Sequence, residues 1–176
     1  MINKWILSFL LLYCMYSHAN VGTLPHSDNV RFFLSANFSL SIAAKCLSGS
    51  VLSHMDGQII KFNESASIAT FLINREQDGL PEEFDLHDYP QIILGTKKID
   101  SLPENIKDKF NNSRRELRFA LDSPEITEKT SDKYHFYYAC NGLQCTTFIT
   151  RTEVDNELLM INSNGFTKRQ IANLME

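Results

Sequence analysis

Between residues 30 and 47, Phe32, Leu34, Ala36, Phe38, Leu40, Ile42, Ala44 and Cys46 occupy every second position, the period of a half-buried strand. Phe33, Ala36, Leu40, Ala43 and Leu47 also fall on one helical stripe. The run from Ala43 to Leu47 is short of β-branched residues, so residues 40–47 are expected to be helical. Residues 51–62 read as two strands joined at Asp56 and Gly57, a pair that tolerates the positive φ angles of a tight hairpin turn. Residues 65–77 are expected to form a helix stopped by Asp78 and Gly79, with a buried strand over residues 68–73 as the alternative. Residues 91–95, which follow Pro90, read as a short strand.

Ser101 and Glu104 have the spacing of a capping box, and Leu102, Ile106 and Phe110 then share one helical face. That helix is expected to run through Leu117 and Leu121 and to stop before Pro124. Residues 133–140 and 145–151, rich in Tyr, Phe, Thr and Ile, flank Asn141 and Gly142 and predict a hairpin. Residues 158–161 are apolar on both faces, as in a central strand. Asn164 and Gly165 turn the chain, and residues 167–175 predict a terminal helix with Thr167 and Gln170 as a second capping box. Strands joined by hairpins and helices grouped in blocks predict the α+β class: one domain over residues 30–176, a mainly antiparallel sheet and three to four helices.

The first 19 residues do not belong to this pattern. Lys4, a twelve-residue apolar run over residues 5–16, and Ser17, His18 and Ala19 are the parts of a cleavable secretory signal. The run is shorter than the roughly 20 residues that cross a bilayer, so no membrane anchor is expected after cleavage. Residues 20–29, with Gly22, Pro25 and Ser27, read as a flexible lead. A periplasmic or secreted location follows as the expectation. The chain carries 17 Lys and Arg against 21 Asp and Glu, and loss of the signal removes only Lys4, leaving a net charge of −5. Without a concentrated basic face, nucleic acid is excluded as the expected partner.

Export bears on the cysteines. Cys140 and Cys145 lie at the mouth of the predicted hairpin and are expected to form a disulfide in an oxidising compartment. A redox motif would place two residues between them, and here there are four. Cys46, in the apolar stripe beside Ala43 and Leu47, is expected to be an inert core thiol.

The five histidines are scattered, and no run has metal-ligand spacing, so neither a metal nor a cofactor is expected. Ser48, Gly49 and Ser50 lack the nucleophile-elbow pattern, and no catalytic residues are assigned. The unusual stretch runs from Glu76 to Tyr89. It holds Glu76, Asp78, Glu82, Glu83, Asp85 and Asp88 with no Lys or Arg, interleaved with Leu80, Phe84, Leu86 and Tyr89. Carboxylates with aromatic anchors suit a basic protein surface, the acids steering and the rings supplying affinity. Glu82, Glu83, Phe84, Asp85, Asp88 and Tyr89 are therefore the candidate partner-binding residues, as in an inhibitor or immunity protein that neutralises a toxin or hydrolase. The competing expectations are an envelope hydrolase using Cys46 or the carboxylates of residues 82–88, and a small-ligand or glycan-binding module built on Tyr134, Phe136, Tyr137 and Tyr138.

Overall fold

The computed structural model describes residues 28–54, 57–100 and 102–175. The expected signal over residues 1–19, residues 20–27 of the lead, Asp56 and Ser101 lie outside them. In chain order the strands are β1 (Asn29–Phe33), β2 (Ser39–Ala43), β3 (Val51–His54), β4 (Gln58–Asn63) and β5 (Ala66–Asn74). Helices α1 (Tyr89–Leu94) and α2 (Glu104–Leu121) come next. Strands β6 (Glu125–Thr130), β7 (Tyr134–Asn141), β8 (Gln144–Arg151) and β9 (Val154–Asn164) and a short helix α3 (Lys168–Asn173) complete the chain. The architecture is α+β and dominated by antiparallel sheet.

Seven strands form one sheet in the order β3-β4-β5-β9-β8-β7-β6, and β1 and β2 form a separate hairpin. The centre of the sheet is β9, which explains why residues 158–161 are apolar on both faces. Alternation along each strand divides the core in two. Ile73, Tyr137, Phe148 and Leu158 face α1 and α2. Ile68, Phe136, Ile149, Leu159 and Ile161 face the other way, against α3 and the β1–β2 hairpin. The hairpin is tied down where Ser41 N–H donates to the Leu174 carbonyl (2.7 Å) and where Phe38 and Leu40 enter the second core.

Several expectations are met in detail. The β7–β8 hairpin pairs Cys140 directly with Cys145 and Asn141 with Gln144. Gly142 stands at the first central position of the turn with φ 60°, the glycine placement of a type II′ turn. Directly opposed strand positions bring the cysteine Cα atoms within 4.2 Å, and the disulfide forms. Strands β3 and β4 pair as read, α2 ends before Pro124, and Thr167 and Gln170 make the reciprocal capping box of α3.

Other elements differ from expectation. Residues 40–47 are not helical throughout: β2 occupies Ser39–Ala43, and only Ala44–Leu47 form a 3-10 turn. Here the period-two burial of Phe38, Leu40 and Ile42 outweighs local helix propensity. In consequence Cys46 is exposed and unpaired, not a core thiol. The expected helix over residues 65–77 is strand β5, inserted between β4 and β9, where β-branched Ile68, Thr70 and Ile73 suit a pleated interior. The short strand expected at residues 91–95 is instead α1, with Pro90 in its first turn and Gly95 ending it at φ 79°. Among the described residues no side chain caps the N-terminus of α2, which begins after Pro103; Ser101 of the expected capping box lies outside them. At the other end of the expected lead, Asn29 already pairs with Ala43.

This arrangement predicts unequal cysteine reactivity. Brief alkylation of the native protein should label Cys46 and leave Cys140 and Cys145 untouched unless a reductant and denaturant are added. Peptide mass mapping checks it.

Candidate functional site

The turns at one end of the sheet bring together segments far apart in sequence. Asn74, at the end of β5, pairs with Glu157 near the start of β9. The β8–β9 turn lies beside them, because Arg151 pairs with Val154. The turn between β1 and β2 closes the same end. Glu157 Oε1 accepts from Ser35 Oγ (2.6 Å) and Asn37 Nδ2 (2.8 Å), while Arg151 Nη1 donates to the Asn37 carbonyl (2.8 Å). The acidic stretch leaves β5 here and folds back over the β8–β9 turn, held by His87 Nε2 against the Arg151 carbonyl (3.1 Å).

Two acidic segments therefore meet: Glu76 to Asp88, and Glu153, Asp155 and Glu157. Between them opens a polar cleft of about 510 Å³, lined by Glu76, Glu82 and Glu157 together with Asn74, Asn156 and Arg75. The cations nearby make no ion pair with these carboxylates, and Arg75, which lines the cleft, leaves it a net charge of −2, three glutamates against one arginine. Arg75 Nε donates to the Phe84 carbonyl (2.6 Å), Arg151 serves the Asn37 carbonyl, and Lys109 Nζ donates to the carbonyl of Asp78. Among the described residues no ion pair involves Glu76, Glu82, Glu83, Glu153, Asp155 or Glu157. The positive charges fix the backbone of the loops; Glu76, Glu82, Glu83, Glu153 and Asp155 are exposed, and Glu157 is partly buried beneath the β1–β2 turn.

The candidate residues of the acidic stretch divide into three kinds. Glu82 lines the cleft, and Glu83 is exposed beside it. Asp85 and Asp88 are engaged locally, Asp85 Oδ1 with His87 Nδ1 (2.9 Å) and Asp88 Oδ1 with Lys97 Nζ (2.5 Å). Phe84 and Tyr89 are not surface anchors. Phe84 is 6% exposed and stacks on Phe110 of α2 at 5.6 Å, and Tyr89 packs edge-on against both Phe110 and Phe148. The aromatic residues pin the loop to the core, and of the candidate carboxylates Glu82 and Glu83 alone are without an ion pair among the described residues. Spacing could not reveal this, because alternate apolar residues in a loop read the same whether they face inward or outward.

Glu153, Asp155 and Glu157 were not singled out from the sequence. Their signal was alternation, carboxylates at every second position leading into a strand. Their position at the acidic end follows from the pairing of β9 with β5, a long-range contact.

The geometry also speaks to catalysis. Both ring nitrogens of His87 are engaged, one by a carboxylate and one by a carbonyl, so the imidazole satisfies both acceptors only when doubly protonated. Partial burial alone would lower its pKa, but the Arg151 carbonyl and Asp85 outweigh this and raise it above the ordinary 6.5. Burial would likewise raise Asp85, yet the hydrogen bonds and charge of His87 bring it below 3.8. His87 is a clasp and not a free base. A second chain runs from Glu128 through His135 (3.4 Å) to the Tyr137 hydroxyl (3.2 Å), but Tyr137 is buried, with its ring in the core that faces α1 and α2. Phe136 and Tyr138 are core residues too, so the aromatics considered for a glycan platform are largely committed to packing.

The clasp sets a pH dependence. Asp85 contributes stability above its unfolded value, lost as pH falls through its lowered folded value; His87 contributes below 6.5, lost as pH rises through its raised one. The melting temperature of wild type relative to His87→Ala should therefore differ most between about pH 4 and 6.5 and converge toward pH 9. Thermal melts across that range check it. A difference that grows toward alkaline pH would contradict the clasp.

No protein-family model matches this chain, and no curated protein matches it.

Proposed function

We propose that the protein is an exported binding domain that neutralises a cationic protein partner, a toxin or hydrolase, through its acidic end. The observation that carries the reading is the convergence of two sequence-distant acidic segments on one cleft whose carboxylates lack ion-pair partners among the described residues. A lysine or arginine side chain entering between Glu76, Glu82 and Glu157 would meet three carboxylates, of which Glu157 is held in place by Ser35 and Asn37, and the surrounding field would speed encounter. Export is supported by the composition of residues 1–19 and agrees with a disulfide in the hairpin.

The test is a paired capture from the native source, with wild type and a Glu76→Lys, Glu82→Lys, Glu83→Lys variant as baits. A basic protein held in stoichiometric amount by wild type and absent from the variant supports the reading. A partner held equally by both overturns the assignment of the surface.

A further inference from the structure

At the opposite end of the sheet, the C-terminal halves of α1 and α2 and the start of β6 enclose a second cavity, of about 390 Å³. Its walls are unlike those of the acidic cleft. Ile93, Leu94, Leu117 and Ile126 supply an apolar floor, and Arg114 and Arg118, one helical turn apart, stand over it. We propose that this groove binds a medium-chain fatty carboxylate, its head on the two guanidinium groups and its chain along the floor.

Three features support that occupant. The first is charge. Among the described residues neither Arg114 nor Arg118 has a carboxylate within ion-pair distance. Arg114 is held in place by neutral acceptors only, its Nε donating to the Ile92 carbonyl (2.5 Å) and Nη2 to the Lys97 carbonyl (3.1 Å). Burial and then the charge of Arg118 lower its pKa, so a partly buried guanidinium stands beside a like charge on exposed Arg118, and an anion between them would relieve both. The second is the floor. Ile126 is 39% exposed although it faces this cavity from a strand, and Leu117 is half-buried, so a chain laid there removes apolar surface from water.

The third is backbone. Asp122 and Ser123 close the end of the groove with φ of 43° and 64°, consecutive left-handed residues without glycine. Such conformations persist where surrounding structure enforces them and cluster at ligand clamps. The Asp122 carboxylate lies at this end, away from any ion-pair partner among the described residues, and leaves the groove with a net charge of about +1. A monoanion suits that balance; a dianion would meet Asp122. Cavities of roughly 300–1,000 Å³ with a few polar groups are the usual form of small-ligand sites.

The experiment titrates the purified protein with dodecanoate below its micelle concentration, by calorimetry and by the carboxyl carbon resonance of labelled ligand. Dodecanol tests the chain without the charge, butyrate the charge without the chain, and anionic phosphatidylglycerol vesicles a membrane surface. Dodecanoate should bind, with dodecanol and butyrate each at least tenfold weaker and no vesicle association. Arg118→Glu should weaken dodecanoate at least tenfold with an unchanged melting temperature, and Arg118→Ala serves if Arg118→Glu folds poorly. Phe119→Ser should leave binding unaltered, because Phe119, at 91% exposure the most exposed large apolar side chain among the described residues, does not line the groove. Equal binding of dodecanol, indifference to Arg118, loss of binding in Phe119→Ser, or vesicle association without dodecanoate binding would each overturn the proposal.

Discussion

Phe84→Ala should lower the melting temperature on the order of 10 °C, while Glu83→Lys one residue away leaves it almost unchanged. Phe84 lies within the core between α2 and the loop, stacked on Phe110, and its neighbours Leu80 and Leu86 are buried with it. Removing a buried phenyl ring costs about 3–5 kcal/mol, as lost transfer energy plus the cavity left behind. At this chain length each kcal/mol moves the midpoint by about 2–4 °C. Glu83 is exposed and makes no ion pair among the described residues, so its reversal should stay within about 0.5 kcal/mol. Calorimetry of both variants separates the two roles. An unchanged melt for Phe84→Ala would mean that the ring is free to serve a partner.

The second large effect concerns association. Reversing Glu76, Glu82 and Glu83 together replaces three negative charges by three positive ones at the acidic end. At low salt the association rate with the partner should fall at least about tenfold, and its steep decline with added salt should disappear. Dissociation should change less for Glu83, at the rim, than for Glu82, which lines the cleft. Glu157 is a poor choice for such a test. It also anchors Ser35 and Asn37, so its replacement would loosen the β1–β2 hairpin and mix stability with binding. Stopped-flow kinetics across a salt series gives the rates.

How much of this could be read from the chain depends on where each residue's partners lie. The β7–β8 hairpin, its disulfide and the capping box of α3 involve neighbours within a few positions, and sequence spacing determines such contacts. Strand β5 reads locally as a helix with a strand over residues 68–73 as the alternative, and the strand wins because β4 and β9 flank Ile68, Thr70 and Ile73, which local propensity does not register. The polar edge strand β6, with Glu125, Glu128 and Lys129, showed no hydrophobic period strong enough to reveal it; charges of this kind discourage pairing of an exposed edge. Helix α1 carried its signals, Pro90 at the start and Gly95 at the end, but the apolar run between them was too short to distinguish helix from strand.

The acidic stretch shows the same division. That residues 76–88 are unusual was visible in their composition. That Phe84 and Tyr89 turn inward depends on α2 passing over the loop, and that Glu157 joins Glu76 and Glu82 depends on the β5–β9 pairing.

Carboxyl footprinting of the complex with its captured partner shows whether the acidic end is the surface that binds. Glu76, Glu82, Glu153 and Asp155 should be protected from carbodiimide labelling when the partner is bound, while Glu104 and Glu116 on α2 label as in the free protein. Protection confined to α2 or to the β6 edge, with the acidic end still fully reactive, would contradict that assignment.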